Sequence, residues 1–118
     1  MAYYPILMDL QDRRALVVGG GGVAERKVRT LLAFGAQVDV VSRELSPALR
    51  DLSEEGRVQW AGREFEPSHL KGTALVIAAT DDAEANRRVS AACREQGIPV
   101  NAVDQPADCT FIVPAVVR

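Results

Sequence analysis

At 118 residues the chain fits one domain, large enough for a real core and small for a complete enzyme. A net charge of −2 gives no reason to expect nucleic acid or an anionic membrane surface, and no stretch approaches the ~20 apolar residues that span a bilayer. Cys93 and Cys109 lack metal-ligand spacing, and residues 1–14 lack a basic, then apolar, leader; free thiols, no metal site and a reduced, cytoplasmic setting follow.

Residues 3–10 alternate loosely and suit a short extended lead-in. Residues 15–18 read as a buried strand, with β-branched Val17 and Val18, running into four glycines at 19–22. A helix follows: Ala24, Val28, Leu31 and Leu32 recur at helical spacing, while Glu25, Arg26, Lys27 and Arg29 take the other face. Gly35 suits the left-handed stop after Phe34. Residues 37–42 form a second strand, and Ser46-Pro47 an N-cap and first helical position for a helix with Ala48, Leu49 and Leu52 inward, ended by Gly56.

A third strand at 58–61 leads into a polar loop, 62–71, with room for a helical turn around Pro67-Ser68-His69-Leu70. His69, the only histidine, reads as a surface residue there. The unbroken apolar run 74–79 is what a central parallel strand buried on both faces requires. Thr80-Asp81-Asp82 follows, with Asp81 and Glu84 spaced as a capping box for a helix that runs to Gln96, buries Ala85, Val89, Ala92 and Cys93, and ends at Gly97. Cys93 is then a small core residue. Residues 99–103 make a fifth strand, with Asp104 just past its end, and 110–113 a shorter sixth.

Strands alternating with helices over short connections imply a doubly wound parallel α/β sheet of Rossmann type, one domain over residues 1–118. Ligands of such sheets bind at the carboxyl ends of the strands, where the strand order reverses. The glycine turn aligns there as Gly19-x-Gly21-x-x-Ala24, a dinucleotide fingerprint. Gly19 permits the tight turn, Gly21 lets a pyrophosphate approach, Ala24 lets helix and strand pack, and the helix N-terminus meets the phosphates at Gly22 and Val23. No Gly-Lys-Ser/Thr follows, so the turn is not a P-loop. At the second strand's tip, Arg43 can stack on adenine or hold a 2′-phosphate and Glu44 can take ribose hydroxyls; a solvated charge pair is the alternative. Asp39 lies near the expected count for the ribose acid but inside the strand. Thr80 either meets the cofactor through its hydroxyl or backbone, or merely starts a helix. Asp104 has no capping or ion-pair partner in the sequence, which leaves it free to act as a base, or it simply shapes the turn beside Gln105-Pro106.

The motifs Gly-Gly-Gly-Gly-Val-Ala-Glu-Arg-Lys-Val (19–28), Leu-Leu-Ala-Phe-Gly-Ala (31–36), Ala-Ala-Thr-Asp-Asp (78–82), Asn86 with Arg88-Val89, and Asn-Ala-Val-Asp (101–104) resemble the precorrin-2 dehydrogenases, a family that includes the amino-terminal module of siroheme synthase. Tyr4-Pro-Ile and Phe111-Ile-Val-Pro114 extend the likeness over essentially the whole chain. The resemblance implies NAD-dependent oxidation of the tetrapyrrole precorrin-2 to sirohydrochlorin, joined in some relatives by iron insertion. It implies NAD over the residues matching Gly22-Val23 and Arg43-Glu44, and a chemical role for Asp104. Relatives continue past Pro114 into a dimerisation segment and a helical domain that complete the tetrapyrrole site. A homodimer in the full-length protein, and little turnover by residues 1–118 alone, are therefore expected. Arg26, Arg87 and Arg118 are candidates for the substrate carboxylates. The competing readings are a nucleotide-sensing module of a transporter or channel and, third, a flavoprotein half-site. Both usually carry an acid where this chain has Ser42-Arg43.

Overall fold

The apolar runs pair with one another in parallel. In the computed structural model, which describes residues 2–114, the elements are β1 (Arg14–Val18), α1 (Gly22–Ala33), β2 (Gln37–Val41), α2 (Pro47–Glu54), β3 (Val58–Gly62), β4 (Thr73–Ala78), α3 (Ala83–Gln96) and β5 (Val100–Ala102). Short 3₁₀ turns lie at Pro67–Leu70 and Pro106–Asp108. The strand order is β3-β2-β1-β4-β5, every pairing parallel. The chain winds outward from β1 to β3, then returns to the other side of β1 for β4 and β5. The order therefore reverses between β1 and β4, as a doubly wound sheet requires.

Successive side chains of a strand point to opposite faces, so β1 serves two cores. Ala15 and Val17 pack with Val28 and Leu31 of α1 and Leu49 of α2. Leu16 and Val18 pack with Val89 and Cys93 of α3 and with Leu70. Helices on both faces bury β4 at every position, which is why its sequence shows no alternation. Each fully buried Leu or Val contributes about 1.5–3 kcal/mol relative to exposure. Burial also pushes the Cys93 thiol up to about 12, the state of a packed, unreactive cysteine.

Local signals mark the boundaries. Ser46 Oγ accepts the Leu49 N–H at 3.2 Å with Pro47 beside it in the first turn. Gly35 and Gly97 take φ of 86° and 71° just past α1 and α3. Among the described residues, no helix is long and apolar enough to cross a membrane.

Two expectations are corrected. The N-cap of α3 is Asp82, not Asp81: Asp82 Oδ1 accepts the N–H groups of Glu84 (3.0 Å) and Ala85 (3.3 Å), while Glu84 pairs outward with Arg87. Thr80 shifts the start, because its hydroxyl accepts the Asp82 N–H and closes a turn ahead of the helix. Residues 110–113 are not a strand. Thr110 N–H donates to the Val100 carbonyl (2.8 Å), but Val100 N–H is answered by the Thr110 hydroxyl (2.9 Å) and the Phe111 carbonyl by the Asn101 side chain (3.0 Å). Side chains replace a backbone ladder along that edge of β5. Residues 3–10, expected as an extended lead-in, join no sheet.

Asp39 sits mid-strand in β2, its carboxylate 3.5 Å from Arg14 Nε at the start of β1. Burial raises the Asp39 carboxyl above the usual carboxylate value of 3.8, more than Arg14 and His69 lower it. The folded chain thus holds this proton to higher pH than the unfolded chain, and Asp39 lowers stability as pH rises from 3.8 through the raised value. Asp39→Asn, which does not titrate, is expected to melt above the wild type at pH 7, the difference closing towards pH 3 in thermal melts followed by circular dichroism. A wild type that melts higher at pH 7 would show the Arg14 pair outweighing burial.

Candidate functional site

Where the order reverses, the loops after β1, β2 and β4 diverge and leave a crevice of about 860 Å³. All eight expected site residues line it: Gly19, Gly21, Gly22, Val23, Arg43, Glu44, Thr80 and Asp104. Residues 62 apart in sequence, Ser42 and Asp104, share its wall.

The four glycines divide into two kinds. Gly19 has φ 137°, and a Cβ there would overlap the Ala79 carbonyl at the end of β4. A Cβ on Gly20 would overlap the Glu44 carbonyl and the Ser42 side chain, and the Gly20 carbonyl accepts the Ser46 N–H at 2.8 Å. These two wedge the turn between its neighbours. A Cβ on Gly21 or Gly22 would meet nothing within 4 Å. Their open side is the crevice, so a ligand can approach the backbone itself. The first intrahelical bond runs from Glu25 N–H to the Gly21 carbonyl, which leaves the N–H groups of Gly22, Val23 and Ala24 without helical partners at the positive end of α1. That is a cradle for a pyrophosphate.

At the tip of β2, Ser42 Oγ donates to the Glu44 carbonyl at 2.7 Å and bends the chain back. Arg43 is exposed and paired with Glu64, whereas the exposed Glu44 carboxylate has no partner among the described residues. Asp39 faces Arg14 and lines neither cavity, so Glu44 is the acid at this tip. Thr80 lines the crevice with its polar groups already engaged: Asn86 accepts its N–H (3.1 Å) and hydroxyl (2.6 Å) and donates to its carbonyl (3.2 Å). Its hydroxyl is not free for a ligand.

Asp104 has the structural task that its alternative reading offered, shaping a turn. It is the third residue of the turn closed by Gln105 N–H on the Ala102 carbonyl (3.1 Å), with φ 61°, a conformation that Asp and Asn tolerate better than most residues. Its side chain is exposed and unpartnered among the described residues. A carboxylate is thus held at the crevice by its backbone alone.

The cations at the crevice are not the three named from the sequence as candidates for the substrate. Arg26 lines neither cavity, Arg87 is occupied by Glu84 (2.6 Å) and Asp108 (3.9 Å), and Arg118 lies outside the described residues. Arg63 lines the crevice instead, and it also lines an adjoining cavity of about 370 Å³ that Arg88 shares. The signal for Arg63 was its place one residue past the end of β3, on the same edge as the glycine turn. His69 lines neither cavity. Its Nδ1 accepts the Glu66 N–H (3.0 Å) and caps the first 3₁₀ turn. No group of three or more His, Cys, Asp or Glu side chains that could hold a metal occurs among the described residues.

The family described as "Putative NAD(P)-binding" matches residues 6–115. A siroheme synthase of Methylobacillus flagellatus is 55% identical over 117 residues, covering 99% of this chain and 25% of that protein; one from Sodalis glossinidius is 45% identical with the same coverage. The chain spans about a quarter of the length of these relatives. Among solved structures, "SirC, precorrin-2 dehydrogenase" superposes with a TM-score of 0.77 at 26% identity, over 96% of this chain and 55% of that one. With the family match over nearly the whole length and the fingerprint glycines at the strand-order reversal, the chain belongs to this NAD(P)-binding family.

Proposed function

We propose that this chain is the NAD-binding dehydrogenase module of a siroheme-forming enzyme, oxidising precorrin-2 to sirohydrochlorin. The observation that carries the reading is one crevice with an open glycine cradle on one wall and the unpartnered Asp104 carboxylate on another. The likeness to siroheme synthases and to a precorrin-2 dehydrogenase supplies the substrate.

The residues fit NAD. The N–H groups of Gly22 and Val23 bind pyrophosphate, and the open side of Gly21 leaves room for it. The free Glu44 carboxylate suits the ribose hydroxyls of NAD and repels a 2′-phosphate, while Arg43, held by Glu64, flanks the adenine side. Thr80 contributes shape, its polar groups being committed to Asn86. When bound, the cofactor accepts the hydride. The oxidation also releases a proton, and Asp104 is the carboxylate placed to take it. Arg63 offers charge to a polyanionic substrate at the same opening.

The exposed apolar side chains of Tyr4, Ile6, Leu7, Ile112 and Val113 suit burial against further protein, in keeping with a homodimer of the whole enzyme. Calorimetry with residues 1–118 is expected to show tighter binding of NAD⁺ than of flavin. Precorrin-2 turnover is expected to be weak in that fragment and restored in the full-length protein. Full activity in a monomeric 118-residue sample would place the whole site in this domain.

A further inference from the structure

The inward face of α3 is rotated from the one that apolar spacing selects: Val89 and Cys93 are buried as expected, while Ala85 and Ala92 are only half-buried. Asn86 and Ser90, 2% and 1% exposed, lie buried alongside Val89 and Cys93. Buried polar side chains need partners, and no buried side-chain nitrogen or oxygen among the described residues lacks one. Ser90 Oγ donates to the Asp108 carbonyl at 2.7 Å. Asn86 makes four bonds: three to Thr80 and a fourth from Nδ2 to Gln105 Oε1 at 3.0 Å. Gln105 Nε2 is held in turn by the Ala83 carbonyl (3.2 Å) and Asp108 Oδ2 (2.9 Å).

Thr80 lies within the loop between β4 and α3, and Gln105 follows Asp104 in the loop after β5. One buried amide therefore joins two loops of the crevice wall. The link matters for Asp104 because its carboxylate has no partner of its own. Its place depends on the turn, and the turn on the anchorage of Gln105.

We propose that Asn86 is a positioning residue, holding from inside α3 the spacing of the Thr80 and Asp104 loops on which cofactor binding and proton removal depend. An amide is needed because both ends are used. Aspartate keeps the acceptor for Thr80 but sets a carboxylate against the Thr80 carbonyl and Gln105 Oε1; leucine fills the space and bonds neither loop. The kinetic consequence rests on the dehydrogenase reading, whereas the consequence for NAD⁺ binding does not need the precorrin-2 assignment.

The test compares Asn86→Leu, Asn86→Asp, Gln105→Met and, as a stability control, Cys93→Ala, a buried residue of the same helix that touches neither loop's hydrogen bonds, in the full-length protein. NAD⁺ affinity is measured by calorimetry, hydride transfer from precorrin-2 in single turnovers, and melting by circular dichroism. Asn86→Leu is expected to weaken NAD⁺ binding and slow hydride transfer, each about tenfold, the size expected when a buried hydrogen-bonding group is orphaned. Gln105→Met should slow transfer with little change in NAD⁺ affinity and add nothing in an Asp104→Asn background, whereas Asn86→Asp, which also repels the Thr80 carbonyl, should slow transfer and weaken NAD⁺ binding. Cys93→Ala should lower only the melting temperature. Wild-type affinity and transfer in Asn86→Leu, with melting lowered as in Cys93→Ala, would reduce Asn86 to a structural residue. Should Asn86→Leu fail to fold, unaltered transfer in both Gln105→Met and Asn86→Asp would overturn the proposal equally. Normal turnover by Asp104→Asn would remove the base assignment alone; the NAD⁺ affinity of Asn86→Leu would still decide the positioning.

Discussion

Asp104→Asn in the full-length protein is expected to lower precorrin-2 turnover by ~10²–10⁴-fold, the usual cost of removing a general base, with NAD⁺ affinity and melting temperature close to wild type. Asparagine is the informative replacement because of the backbone. At φ 61° Asp104 sits where Asn is also well tolerated, so Asn keeps the turn and its shape and removes only the basic oxygen. Asp104→Ala confounds two effects, since a left-handed residue without a short polar side chain costs roughly 1–2 kcal/mol. A fall in melting temperature confined to Asp104→Ala would report the turn. A rate loss confined to chemistry, seen as slow NADH formation in single turnovers, would point to the base. If Asp104→Asn turns over normally, proton loss to water or to a substrate carboxylate becomes the better account.

Gly21→Val is expected to abolish measurable NAD⁺ binding while leaving the fold intact. The added Cβ meets no protein atom within 4 Å, and the φ of −96° and ψ of −162° at Gly21 are open to any residue. The valine branches instead fill the space a pyrophosphate needs beside the N-terminus of α1. Gly19→Ala and Gly20→Ala form the contrasting pair. Their side chains collide with the Ala79 and Glu44 carbonyls, so they should lose melting temperature as well as affinity. Wild-type NAD⁺ affinity in a folded Gly21→Val, measured calorimetrically, would displace the fingerprint from this turn.

Much of the fold could be read locally. Val17-Val18, the unbroken run ending at Ala78, and helical spacing at Ala24, Val28 and Leu31 each report burial of their own segment. Punctuation was local too: Gly35, Gly97 and the Ser46-Pro47 cap act through their own backbone or through residues three positions away. Together with the parallel-sheet rule on ligand position, these signals sufficed to assemble a crevice from Gly19, Arg43, Thr80 and Asp104.

What escaped was whatever depended on a partner distant in sequence. Thr110 offers a hydroxyl to Val100 where a sixth strand would offer a carbonyl, and only the packed edge of β5 reveals the exchange. Gly20 and Gly21 are the same residue in neighbouring positions; one is required by the Glu44 carbonyl and the other faces open space. Asn86 breaks the apolar pattern of α3 because its four bonds go to Thr80 and Gln105, on loops six and nineteen positions away. Arg63 reaches the crevice, and Arg26 and Arg87 do not, because the pairing of β2 with β3 brings the end of β3 to the glycine turn. Burial and chain stops are short-range properties of the sequence. Which side chain meets which loop is settled only when β1 is flanked by β2 and β4 and α3 packs across the return.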